Sequence, residues 1–257
     1  MDIIHAIILG IVEGISEFLP ISSTGHLILA SKLLSLAQTD FQKSFNIAIQ
    51  LGAILAIVVL YGQRFLLDRK MLVNVMAAFV PTAAIGLALY KPVKHHLLGS
   101  SAVVVWSLLL GGIFIIIFER WHKANTQQKN SVADIHWKQA VMIGLVQSLS
   151  IVPGVSRAAA TIFGGLFSGL SRTAAVEFSF LLAVPTMAAA TTLDMLKSYK
   201  NFSGTDFSIL GIGMITSFLV AMLSIKLLLN FINKHDFTAF GVYRILIAVV
   251  FMIFIGI

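Results

Sequence analysis

Apolar residues run through this chain in long blocks separated by short polar stretches. A hydrocarbon layer about 30 Å thick takes about 20 apolar residues per crossing helix. Six blocks meet or approach that length, at about 45–61, 72–90, 102–118, 174–196, 208–231 and 239–257. Two further apolar stretches, about 3–33 and 140–169, are interrupted in their middles by Pro, Gly and Ser and carry charge at the interruption. Irregular backbone at membrane depth persists only where protein or a wet cavity satisfies it. These two stretches predict re-entrant helix–loop–helix pairs. The pattern as a whole predicts an all-α polytopic membrane protein, with six transmembrane helices and two re-entrant pairs in one integral membrane domain over 1–257.

The two interrupted stretches resemble each other. A shift of 134 residues lays Ala6-Ile7-Ile8-Leu9-Gly10 on Ala140-Val141-Met142-Ile143-Gly144, Glu13 on Gln147, Pro20 on Gly154, Ser22 on Ser156 and Ser23 on Arg157. Three spans follow each copy. An odd number of crossings per copy turns the second over relative to the first. The chain therefore reads as an inverted-topology repeat, about 1–130 and about 135–257, in which broken helices meet near the midplane to form one site.

Composition agrees with a lipid-facing exterior. Hydrophobic residues make up 58% of the 257 and charged ones only 11%, less than half the share that covers a soluble domain. The chain has no cysteine, which excludes disulfide and thiol chemistry. Met1-Asp2 is not a basic leader, and Glu13 and Glu17 interrupt the first apolar stretch, so the N-terminus reads as mature protein rather than a signal peptide. The net charge of +7 fits basic loops beside anionic headgroups. No basic stripe with interleaved aromatics is present, so a nucleic-acid partner is excluded. Arg64, Arg69 and Lys70 in one loop, with Arg120, Lys123, Lys129 and Lys138 in the polar loop 119–139, point to the cytoplasm and put both termini outside. Lys91, Lys94, Lys197 and Lys200 on the other side keep that bias modest.

Ionisable groups inside apolar segments are costly and mark function by default. Glu13 and Glu17 stand four apart and share one helical face, where two carboxylates repel or recruit a cation. Their hard oxygens suit Mg²⁺ or Ca²⁺. Ser22, Ser23 and Thr24 followed by Gly25-His26 form a hydroxyl-rich turn, whose free backbone N–H groups suit phosphate oxygens. The same cluster also has the composition of an ordinary helix cap. His26 can exchange protons near neutral pH or attack phosphorus. In the second break, Pro153-Gly154-Val155-Ser156-Arg157 with Thr161, the guanidinium fork of Arg157 fits a phosphate or an internal pair with Glu13 or Glu17. Together these residues supply the parts of a phosphoryl-transfer site. His95 and His96 are expected in a loop, Arg244 at a helix end, and Arg172 paired with Glu177.

The string Glu13-Gly14-x-x-Glu17-Phe18-Leu19-Pro20-x-Ser22-Ser23-Thr24-Gly25-His26, with Pro153-Gly154-x-Ser156-Arg157, closely resembles the undecaprenyl-diphosphate phosphatase (bacitracin-resistance) family. Ile49-Gln50-Leu51-Gly52, the segment from Glu177 to Pro185, and Tyr243-Arg244 are similar to that family too. The resemblance implies an enzyme of the bacterial inner membrane that hydrolyses undecaprenyl diphosphate to the monophosphate and recycles the carrier lipid for wall synthesis. It implies a divalent metal, Mg or Ca, at Glu13 and Glu17, and a site open to the periplasmic side. Glu17, Ser23, His26 and Arg157 match its catalytic positions. Ser22, Thr24, Gly154, Ser156, Arg157 and Thr161 match groups that hold the diphosphate. Which of Ser23 and His26 attacks is left open, Ser23 activated by His26 being preferred. This chain departs from the family's Ser-Arg-Ser-Gly-x-Thr, carrying Ala158 and Ala159 after Arg157.

The alternative to an enzyme is a lipid transporter or flippase, since inverted repeats with broken helices also build transporters. The type-2 phosphatidic-acid phosphatases share a superficial Ser-Gly-His and Ser-Arg likeness, but no His follows Ser156-Arg157 or Ser171-Arg172 at the distance that class requires. The expected partners are a long-chain isoprenoid diphosphate, the bilayer and, as an open arrangement, a second copy in a homodimer.

Overall fold

A computed structural model describes residues 1–37, 39–97, 100–122, 131–198 and 204–255. Every regular element among them is helical. Helix α1 (Ile3–Ser16) starts at Asp2, whose side chain accepts the backbone N–H of His5 at 3.0 Å and caps the first turn. After a turn at residues 17–22 the chain continues in α2 (Ser23–Leu33), then in α3 (Asp40–Leu67), α4 (Arg69–His96) and α5 (Ser101–Trp121). The second half repeats this order: α6 (Trp137–Gln147), a 3-10 turn and break, α7 (Arg157–Phe167), then α8 (Arg172–Ser198), α9 (Gly204–Ile232) and α10 (Thr238–Ile255).

Length separates the two kinds of helix. The 14 residues of α1 reach about 21 Å and the 11 of α2, α6 and α7 about 17 Å each. None can cross about 30 Å of hydrocarbon, so both interrupted segments are broken where the sequence predicts. Helices α3, α4, α5, α8 and α9 are long and apolar enough to cross. The sixth expected span, α10, is apolar and has 18 helical residues among those described, about 27 Å.

Without a hydrophobic force between helices in lipid, close packing relies on small residues at the contacts. Gly10 brings α1 onto α9, where a Cβ would stand 2.7 Å from the Gly213 carbonyl oxygen. Gly144 brings α6 onto α4, with a Cβ 2.0 Å from the Ala78 carbonyl oxygen. Gly10 and Gly144 are the glycines that the 134-residue shift superimposes. The helices pair as an exchange of the halves requires: α1 with α9 and α6 with α4, α3 with α9 and α8 with α4, α3 with α8, and α5 with α10. Large apolar side chains such as Ile4, Val59, Leu110, Leu219 and Ile253 remain on the outside. The first break is seated by Phe18, buried edge-on against Phe180 of α8 at 5.2 Å between ring centres.

Two local expectations change. Helix α5 runs to Trp121, so Glu119 and Arg120 end a helix rather than opening a loop. Glu119 is buried there and receives Arg172 at 2.5 Å and the backbone N–H of Phe237 at 3.1 Å, tying α5 to the starts of α8 and α10. This gives Arg172 a partner on another helix. Helix α4 runs through His96, so His95 and His96 are helical. Of the loop charges used for orientation, Lys123, Lys129 and Lys200 lie outside the described residues, as do the side chains of Arg64, Lys91, Lys94 and Lys197.

Candidate active site

The two breaks meet. Glu17 follows the last turn of α1 and Arg157 opens α7. Nη2 of Arg157 donates to Oε1 of Glu17 at 2.8 Å, both side chains being nearly removed from solvent. The internal pair considered from sequence is therefore present, and it joins groups 140 residues apart. The other Glu17 oxygen, Oε2, accepts the hydroxyl of Ser23, the first residue of α2. One buried carboxylate thus holds a cation on one side and a hydroxyl on the other. Arg157 is steadied from behind, with Nη1 donating to the Ser179 carbonyl at 2.9 Å and lying 3.2 Å from its hydroxyl.

The helices that deliver Ser23 and Arg157 start alike. Ser22 and Ser156 are their N-caps, at φ +73° and +79°. A non-glycine residue rarely adopts this backbone, and it marks a turn that its surroundings over-determine. Each Oγ accepts the N–H three residues on, Gly25 at 3.3 Å and Ala159 at 3.1 Å. The hydroxyls therefore cap helices, and each retains its own proton to donate.

His26 is not directed at Ser23. Its Nδ1 lies 2.8 Å from the Ser22 carbonyl, which can only accept, so Nδ1 carries the proton. Nε2 of the neutral ring then accepts the hydroxyl of Tyr243 in α10 at 2.8 Å, with the two rings stacked 5.5 Å apart. Both nitrogens are occupied, and the group on the Ser23 hydroxyl is Glu17. Thr24 sits half-buried in the first turn of α2.

Two positions read as phosphate contacts lie behind the site. Thr161 is fully buried, its hydroxyl 2.6 Å from that of Ser179 and 2.9 Å from the Arg157 carbonyl, so it supports the residue that carries the cation. Gly154, at φ +93°, is pressed against α5, where a Cβ would stand 2.7 Å from the Val104 carbonyl oxygen. Only glycine combines that backbone with that approach. Ala158 and Ala159, the departures from the family pattern, are buried in the first turn of α7, where a small apolar side chain fits.

Glu13 is wholly buried, and neither of its carboxylate oxygens has a hydrogen-bond partner. An unpaired buried carboxylate is expensive and calls for a proton or a cation. Its two free hard oxygens, one turn from Glu17, are of the type that would hold a divalent cation. Among the described residues no three His, Cys, Asp or Glu side chains form a metal cage. The chain's contribution would therefore be these two carboxylates.

Tyr243 and Arg244 hold more of the site together than their sequence positions suggest. Arg244 is almost wholly buried and donates to five backbone carbonyls. The signal was its place inside an apolar span, where a charge is costly. A separate cavity of about 540 Å³ at the starts of α4 and α6, lined in part by Arg69, Lys70, Asn74 and Trp137, contains none of the site residues.

Fold and site together define a polytopic helical membrane protein in which two broken segments bring a serine, two glutamates and an arginine into one buried cluster. The chain belongs to the bacitracin resistance protein BacA family, whose model matches residues 6–250. It is 52% identical over 250 residues to a protein from Aquifex aeolicus (strain VF5) named undecaprenyl-diphosphatase, covering 97% of each chain. It is 47% identical to proteins of the same name from Wolinella succinogenes, over 99% of each chain, and from Sulfurihydrogenibium sp. (strain YO3AOP1), over 98% of each.

Proposed function

We propose that this protein is a membrane phosphatase that hydrolyses undecaprenyl diphosphate to undecaprenyl phosphate and inorganic phosphate. Family membership and the names of its relatives give the reaction. The observation that carries the mechanism is the Ser23 hydroxyl donating to a carboxylate whose other oxygen is held by Arg157.

In this reading Glu17, rather than His26, serves Ser23. Oγ of Ser23 attacks the terminal phosphorus while its proton passes to Oε2 of Glu17, where it already points. The phosphoanhydride bond breaks, and undecaprenyl phosphate leaves as an anion that needs no proton. Water then attacks the phosphoserine. The Ser23 oxygen recovers its proton from Glu17, and the proton lost by water passes to the His26–Tyr243 pair. The first transfer has Glu17 already on the Ser23 hydroxyl; in the second, the Tyr243 oxygen would take the water proton as its own passes to Nε2 of His26, along the hydrogen bond already present. Arg157 exchanges its bond to Glu17 for the phosphate oxygens as charge spreads over them, and Ser22, Thr24 and Ser156 offer hydroxyl donors nearby. A divalent cation, Mg²⁺ or Ca²⁺, held by Glu13 and Glu17 would neutralise part of the diphosphate charge.

The exchange pattern of the helices and the paired breaks support an inverted repeat of about 1–130 and about 135–257 within one membrane domain. The basic loops support a site open to the periplasmic side of the inner membrane. All groups named above come from one chain, so the chemistry does not require the homodimer. The test is purified protein in detergent with undecaprenyl diphosphate and Mg²⁺ or Ca²⁺. One orthophosphate released per lipid, with the monophosphate as the other product, supports the reading. Lipid movement in vesicles without phosphate release would transfer these residues to a transporter.

A further inference from the structure

Arg244 uses its full hydrogen-bonding capacity on backbone. A guanidinium has five N–H donors, and here each has an acceptor. Nε donates to the Leu108 carbonyl at 3.3 Å, Nη1 to Pro20 at 3.2 Å and Val155 at 3.1 Å, and Nη2 to Ser107 at 2.9 Å and Gly154 at 2.9 Å. The acceptors come from three places: the first break, the second break and α5. Pro20 and Gly154 are the residues that the 134-residue shift superimposes. A single side chain on α10 therefore grips the equivalent carbonyl of both breaks. Each grip falls two residues before a serine of positive φ, Ser22 or Ser156.

That backbone conformation persists only where its surroundings fix it. Ser22 and Ser156 in turn aim the helices that start with Ser23 and Arg157. We propose that Arg244 is a positioning residue for the active site, a carbonyl-solvated cation that sets the register of one break against the other and so the Ser23–Glu17–Arg157 arrangement. Gly111 leaves room for it, since a Cβ there would stand 2.1 Å from Nη2 and 2.6 Å from Cζ. A lysine, with three donors on one atom, cannot span both breaks and α5. The catalytic consequence rests on the phosphatase reading above; the structural one does not.

The chain has no cysteine, so spin labels can be placed at Leu19→Cys and Val155→Cys alone, one in each break. Their electron-paramagnetic-resonance distance distribution is narrow with Arg244 and broadens in Arg244→Lys and in Gly111→Ala. Gly86→Ala, where nothing lies within 4 Å of the added carbon, leaves it narrow. In the phosphate-release assay the same two variants lose about 100-fold in kcat, the scale of a 1 Å misplacement, with KM changed less than threefold. The Gly111→Ala/Arg244→Lys double variant is no worse than the poorer single one. An unchanged distance distribution in folded Arg244→Lys or Gly111→Ala overturns the inference. So does a normal kcat of the folded fraction, which would leave Arg244 a stability residue only. Should Arg244→Lys fail to fold, Gly111→Ala decides. A wild-type protein without activity defeats the phosphatase reading, while the distance measurement still judges Arg244.

Discussion

Ser22 and Ser156, 134 residues apart in the chain, both hold a positive φ, and each caps the helix that follows it. The first sends Ser23 to Glu17 and the second sends Arg157 to the same carboxylate. The two breaks are thus matched turns that deliver different chemistry, a hydroxyl from one and a cation from the other. Replacing either serine separates cap from backbone. Alanine keeps the strained φ and loses the cap, which costs about 1–2 kcal/mol. Glycine loses the cap but relieves the backbone, and costs only a few tenths, about 0.3 kcal/mol. Thermal unfolding in detergent checks the order: Ser156→Ala melts below Ser156→Gly, and the reverse order would mean that the cap and the strain do not act here.

Arg157→Lys keeps the charge and loses the fork that reaches Glu17 and Ser179 together. Phosphate release should fall by about 10²–10³-fold, the scale of removing one oriented donor from an anionic transition state. A lysine variant within a factor of three of wild type would show that charge alone suffices.

Tyr243→Phe removes the hydroxyl on Nε2 of His26 and leaves the stacked ring in place. One neutral hydrogen bond is worth about 0.5–1.5 kcal/mol, so kcat should fall about threefold to tenfold with little change in melting temperature. A loss as large as that of His26→Ala would make Tyr243 itself the proton carrier.

Glu13→Gln keeps the size of the side chain and removes its charge. If Glu13 holds the divalent cation, half-maximal activity should require at least about tenfold more Mg²⁺ or Ca²⁺, in the range seen when a metal site loses a supporting group. EDTA should abolish activity in the wild type. An unaltered metal curve in Glu13→Gln would remove this residue from the cation site.

Much of this arrangement was legible in the sequence. Pro20, Pro153 and Gly154 announce the breaks because proline lacks the donor a helix needs and glycine accepts the turn. Glu17 and Arg157 announce themselves as charges in apolar segments. Partners that are backbone atoms could not be read. The five carbonyls on Arg244 leave no trace in residue types, so a hub between the breaks looked like a residue at a helix end. The pairing of Ser23 was hidden for a related reason. The resemblance couples Ser23 with His26, but the cap at Ser22 turns the Ser23 hydroxyl back to Glu17 and presents its own carbonyl to the imidazole. Thr161 likewise matched a phosphate-binding position, whereas burial assigns its hydroxyl to Ser179.

The most direct test is orthophosphate release from undecaprenyl diphosphate by purified wild type and Glu17→Gln side by side, with melting temperature as the control for folding. Glutamine cannot take the Ser23 proton, so the wild type should turn over and a folded Glu17→Gln should lose about 10²–10⁴-fold in kcat, the range for a general base. A folded Glu17→Gln that releases phosphate at the wild-type rate would contradict the Ser23–Glu17–Arg157 site.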